Sequence, residues 1–185
     1  MLYLIGGIFI FIAVHCLPMM VETRQRLIDR VGTVGYQVGF ALVSFLGLGL
    51  MIWGRSVMEF SEIWHPFGWA RYATILLMFP AVLLVISAFG PENSFRRILG
   101  HPMILGVELW AIAHLLANGD LASILFFGAF FLWALAAFIA ARRRKPPVGG
   151  RARLLNDIGF VAVALVVYVS AIRSHVWFAG VSLLS

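Results

Sequence analysis

The sequence predicts an all-α, polytopic transmembrane helix bundle of about six helices, forming a single domain over residues 1–185. Three observations predict it. Of the 185 residues, 62% are hydrophobic and 12% are charged, about half the charged share usual in a soluble domain. Apolar stretches of roughly 20 residues, the length that crosses a bilayer, recur along the whole chain and leave nothing for a soluble domain. The basic residues fall in the short gaps between these stretches, most of them in alternate gaps, as membrane topology requires.

The first span is Leu2–Met20. It has an apolar core but no basic leader and no small-x-small cleavage pattern, so it reads as a retained helix and not a secretory signal. Span two is Val31–Trp53, span three Tyr72–Phe89, span five Leu121–Ala141 and span six Ile158–Ala179. Span four, Met103–Leu116, is short and rather polar; a position inside the bundle would account for both traits. The longest outer loop, Gly54–Arg71, carries Phe60, Trp64, Phe67 and Trp69, aromatics suited to the headgroup level. The last inner loop, with Pro146, Pro147, Gly149 and Gly150, reads as a flexible hinge.

Orientation follows from Lys and Arg. Eleven of the 14 lie in loops one, three and five, including Arg24, Arg26 and Arg30, Arg96 and Arg97, and the run from Arg142 to Arg153. The positive-inside rule puts those loops in the cytoplasm. The expected localisation is a multi-pass protein of the cytoplasmic (inner) membrane with both termini periplasmic. Membrane lipid is then its main surrounding partner, and the polybasic loops would meet anionic headgroups. A formal charge of +6 distributed in this way argues against nucleic-acid binding. Cys16 is the sole cysteine, so no internal disulfide can form.

Ionisable groups inside a span are costly and are functional candidates by default. His15 stands near the inner end of span one, and His114 stands in span four one turn after Trp110. Neutral imidazole is a common metal ligand and the usual proximal ligand of haem iron, and histidines on two helices can clamp a haem in a bundle core. No HExxH or CxxC pattern is present, so haem suits this apolar setting better than zinc. The bland alternative is that each imidazole only hydrogen-bonds a neighbouring helix. Glu108 lies about 120° around the helix from His114 and is expected to pair with another helix. Arg173 is expected to snorkel, His175 to be solvated, and Cys16 to pack. The aromatics of span five (Phe126, Phe127, Phe130, Phe131 and Trp133) are expected to form lipid-facing surface.

The stretch from His101-Pro102 through Glu108, Trp110 and His114 to Asn118-Gly119-Asp120 resembles that of the NnrU family. His15 followed by Arg24, Gly35-Tyr36 through Trp53-Gly54, and His175 through Gly180-Val181 extend the resemblance over nearly the entire chain. It implies a link to denitrification, that is, to nitrite and nitric oxide metabolism, by redox sensing or electron transfer, and it leaves room for a redox or denitrification partner protein. A related branch is the haem-dependent isomerase of zeta-carotene, a b-type haem protein with two histidine ligands whose positions match His15 and His114. By that resemblance haem b is the expected cofactor, with His15 and His114 as its axial ligands. From helical face, charge and depth, Trp110 is expected beside it and Arg24 or Arg26 toward its propionates, and His101, toward the cytoplasmic side like His15, is the rival ligand. Gly100 and Met103 replace the branch's Arg and Gln around His-Pro, and its further histidine pair is absent from Leu121–Ala141. These departures weigh against carotenoid isomerisation and leave haem binding untouched. More distant methyltransferases of isoprenylcysteine type share the Arg-His-Pro theme, but their C-terminal acidic–basic nucleotide-binding stretch is missing from Ala152–Ser185. The other readings kept open are a cis–trans isomerase of a lipid-soluble polyene and a non-catalytic membrane assembly factor. By helical rise, His15 and His114 differ in depth by about 10 Å, an awkward offset for two ligands of one iron.

Overall fold

The computed structural model describes residues 1–143 and 153–180. The hinge expected at Pro146, Pro147, Gly149 and Gly150, with Arg144, Lys145 and Arg151, lies outside the described residues, as does the chain from Val181. The described residues form seven α-helices: α1 (Leu2–Cys16), α2 (Val21–Ser56), α3 (Ala70–Ser87), α4 (Ser94–Leu99), α5 (Pro102–Ala117), α6 (Leu121–Arg143) and α7 (Leu154–Ala179). Five of them are long and apolar enough to cross a membrane. The exceptions are the short α4 and α5, which has 16 residues. At 1.5 Å per residue α5 is about 24 Å long, short of the roughly 30 Å hydrocarbon core.

Helix limits depart from the expected spans for identifiable reasons. The first span ends its α-helix at Cys16 and continues as a 3₁₀ turn, Leu17–Met19, because Pro18 has no N–H to extend the α-helical ladder. The second helix begins at Val21, ten residues before the expected Val31. Hydropathy marks where lipid begins, not where helix begins. The polar first segment is supported by pairs one turn apart, Arg26 with Glu22 at 3.3 Å and Gln25 with Asp29 at 2.8 Å. Gly32, with φ 76° and ψ 165°, then breaks the helix in a conformation essentially reserved for glycine. The surface segment of α2 is thereby set off from its membrane segment. Helix α4 was not expected. It is started by Asn93, which is fully buried, accepts from Arg96 N at 2.9 Å and donates to Ser87 O at 2.8 Å, a side-chain cap of the usual kind.

Packing follows a simple order. Helix α1 packs on α2 and α6, α6 on α5, α5 on α3, and α3 on α7. Lipid tails are as apolar as leucine, so helices associate by close contact and by polar bonds, not by escape from water. Glycines permit the contact. A Cβ on Gly7 would lie 2.6 Å from Met51 N, and one on Gly47 2.8 Å from Phe11 N. Gly54 abuts the backbone of Tyr3 and Leu4, and a Cβ on Gly106 would come within 2.8 Å of Ala81 O. Polar bonds supplement these contacts. Thr74 Oγ1 donates to Ala113 O at 2.7 Å, Tyr168 Oη to Ile75 O at 2.7 Å, and Trp133 Nε1 to His15 O at 3.2 Å. At the arginine-rich end, Asp157 accepts from both Ser94 N and Ser94 Oγ, tying α7 to α4.

The aromatics of α6 correct an expectation. Phe127 and Phe130 are buried, not lipid-facing. Phe130 joins the core cluster of Leu4, Met51 and Ala111, and both rings pack on Trp110. A helix apolar all round gives no periodic signal to say which aromatics turn inward.

Overpacking a tight contact typically costs about 1–3 kcal/mol, so Gly54→Ala should lower the thermal midpoint of the detergent-solubilised protein by several degrees. Gly49→Ala, where an added Cβ meets nothing within 4 Å, should leave the midpoint unchanged. Equal midpoints for the two variants would contradict the close-contact account of α1 and α2.

Candidate functional site

His15 and His114 share one local arrangement. His15 Nδ1 lies 2.8 Å from Phe11 O, and His114 Nδ1 lies 2.9 Å from Trp110 O, in each case the carbonyl one turn earlier. That geometry assigns the Nδ1 proton to the carbonyl and leaves Nε2 as the lone-pair nitrogen. Neither Nε2 has a hydrogen-bond partner among the described residues. An imidazole oriented through one nitrogen and free at the other is the form in which histidine binds a metal.

Aromatic rings surround both. His15 stacks on Phe11 with centroids 3.9 Å apart, and meets Phe40 at 5.0 Å and Trp133 at 5.5 Å. His114 stacks on Phe127 at 4.5 Å and meets Trp110 at 5.2 Å. Phe130 joins the two groups, contacting Phe11 at 5.2 Å and Trp110 at 5.3 Å. A continuous chain of rings, His15–Phe11–Phe130–Trp110–His114, therefore runs through the core. The imidazoles themselves are not in contact. Their partners on α6, Trp133 and Phe127, are six residues apart, or about 9 Å along the helix. The depth offset read from the spans persists in the fold.

The remaining candidates separate clearly. Trp110 lies beside His114 as expected. Arg24 lies at the opposite end, its guanidinium 5.7 Å from the Tyr36 ring centroid. His101 starts α5, and its Nε2 is buried without a partner. Glu108 is half-buried and has no hydrogen bond or ion pair among the described residues, contrary to the expected pairing. It lies two residues beyond Gly106 and so points about 200° away from the face that packs on α3. Arg173 is exposed. His175 is half-buried and, with Arg55, lies within electrostatic reach of His114; it is not the merely solvated residue expected. Arg55 also sits 5.8 Å over the Phe127 ring that stacks on His114.

A family model described as NnrU protein matches residues 3–183 of this chain. The chain belongs to the NnrU family. No curated protein and no solved structure matches it. In this NnrU chain the Asn118-Gly119-Asp120 stretch performs structural work at the turn between α5 and α6. Asn118 Nδ2 donates to His114 O at 2.8 Å, and Asp120 Oδ1 caps α6 by accepting from Ser123 N at 2.9 Å. Gly119 O accepts from Ile63 N at 2.8 Å and Trp64 N at 3.2 Å, while Leu121 N donates to Ser61 O at 2.8 Å. A Cβ on Gly119 would overlap the Trp64 carbonyl. The Gly54–Arg71 loop is thus pinned to the turn that follows His114 on α5.

Sequence reasoning missed Phe11, Phe40, Phe127, Phe130, Trp133 and Arg55 as neighbours of the histidines. Phe11 alone carried a signal, standing one turn before His15 as Trp110 stands before His114.

Gly119→Ala should release the outer loop, raising amide hydrogen exchange across residues 60–66 while Gly128→Ala, with open space around its Cβ, leaves it unchanged. Unaltered exchange in the Gly119 variant would show that the pinning is unimportant.

Proposed function

We propose that this NnrU-family membrane protein binds haem b through His15 and His114 and serves nitrogen-oxide metabolism as a redox or gas-sensing centre. The observation that carries the reading is the matched pair of imidazoles on α1 and α5, each held at Nδ1 by its own helix with Nε2 left for a metal. The donor chemistry suits haem iron, and the aromatic lining suits an apolar macrocycle. As placed, the two imidazoles are linked through the rings of Phe11, Phe130 and Trp110 and do not touch each other. Ligation of one iron by both would require those rings to part. When bound, haem would supply a one-electron centre able to take nitric oxide once a ligand position opens. The residues of the chain would orient it, exclude water, and set charge nearby through Arg55 and His175.

The reading includes a topology in which the arginine-rich end is cytoplasmic and both termini are periplasmic. Alkaline phosphatase fused at either terminus should be active in cells. Activity from a fusion at Arg97 instead would reverse the orientation.

Spectra test the cofactor. Protein from haem-replete cells should show a Soret band that shifts on reduction with dithionite. His15→Ala and His114→Ala should each lower haem per protein by about tenfold or more, by analogy with losses seen even for outer-shell groups, while His101→Ala retains it. A colourless wild-type preparation would end the proposal and favour an assembly role. Haem loss in His101→Ala but not in His114→Ala would reassign the ligand. Conversion of a cis-polyene by the reduced protein would favour the isomerase reading over sensing.

A further inference from the structure

At the elbow where α1 ends and α2 bends at Gly32, a cleft of about 500 Å³ is lined by Pro18, Arg24, Tyr36, Gln37 and Phe40. Its size lies within the range of small-molecule sites. Its polar groups have one character. Arg24 makes no ion pair among the described residues, whereas Arg26 is paired with Glu22, and Asp29 accepts from Gln25. The acidic groups of this segment are therefore engaged elsewhere. The Tyr36 hydroxyl is buried with no hydrogen-bond partner, and Gln37 adds an amide donor. A cation and two donors, with no carboxylate in the lining, call for an anionic oxygen group.

The cleft also has an apolar side. Phe40 forms part of its lining, and Val43, three residues on and on the same face of α2, is exposed. A ligand matched to the whole cleft has an anionic head and an apolar tail. The cleft opens at the end of the bundle that also carries Arg96, Arg97, Arg142 and Arg143, where negative headgroups concentrate. We infer that it holds the phosphate headgroup of an anionic membrane phospholipid, with Arg24 as counter-ion, Tyr36 and Gln37 as donors, and an acyl chain passing Phe40. A free phosphate would leave the apolar side unused. The Phe40 ring is also 5.0 Å from the His15 ring, so the bound lipid lies one side chain from that histidine. The inference does not depend on the haem reading.

Native mass spectrometry of the full-length protein in detergent, with added phosphatidylglycerol or phosphatidylcholine, tests it. One phosphatidylglycerol should stay bound under activation that strips phosphatidylcholine. Arg24→Gln should lower the bound fraction about fivefold or more and Tyr36→Phe about twofold, Arg24→Lys should restore much of it, and Arg26→Gln should leave it unchanged. Melting curves confirm that each variant is folded. Equal retention by wild type and Arg24→Gln, or an equal loss in Arg26→Gln, would overturn the site in favour of diffuse surface charge. Displacement by inorganic phosphate would make it a site for the free ion. Retention that falls as haem content rises would assign the cleft to the carboxylates of the cofactor.

Discussion

Helices in lipid gain nothing by hiding apolar surface from water, so they hold together only where backbones come close enough for dense contact or where a polar group finds a partner. This constraint governs the fold. Gly7, Gly47 and Gly54 bring α1 and α2 together, and Gly106 brings α5 against α3. Thr74, Tyr168 and Trp133 each direct one donor at a backbone carbonyl across a helix boundary. Removing a glycine at such a crossing separates two helices along their length, so a single methyl group has an effect out of proportion to its size.

The histidines owe their setting to the same close approach. His15 reaches α6 because α1 does, and Trp133 returns a hydrogen bond to the carbonyl of His15 itself. His114 is placed by α5 against Phe127, and the turn that follows it is clipped at Gly119 to the Gly54–Arg71 loop. Each imidazole is oriented by the preceding turn of its own helix, so its orientation survives small shifts between helices, while the distance between the two imidazoles does not.

The two ends of the molecule differ chemically. One end is closed by a loop whose backbone pairs with the α5–α6 turn. The arginine-rich end is broken by Pro18 and Gly32 into a short surface segment and an elbow, and there Arg24 and Tyr36 line a cleft. The pinned end follows His114 on α5, and the broken end carries the cleft whose Phe40 ring meets His15.

Much of this was legible in the residues. Apolar length and the alternation of arginine-rich gaps specify a multi-pass helical protein, because the bilayer sets both helix length and the placement of charge. Span four announced its short, sheltered helix through its length and its polar residues, Glu108 and His114. Other features were not legible. Hydropathy is blind to a polar segment that remains helical, so the start of α2 at Val21 and the existence of α4 came only from the fold. On α6, where every face is apolar, nothing local separates Phe130 in the core from Leu132 toward lipid. That choice belongs to the neighbours α1 and α5. Local chemistry thus decided which residues enter the membrane and which nitrogen of each histidine stays free, since both depend on segments a few residues long. The meeting of Phe11, Phe130 and Trp110 between the two histidines, and the offset in depth that results, depend on how far α1, α5 and α6 slide past one another, and only the packed tertiary structure sets that distance.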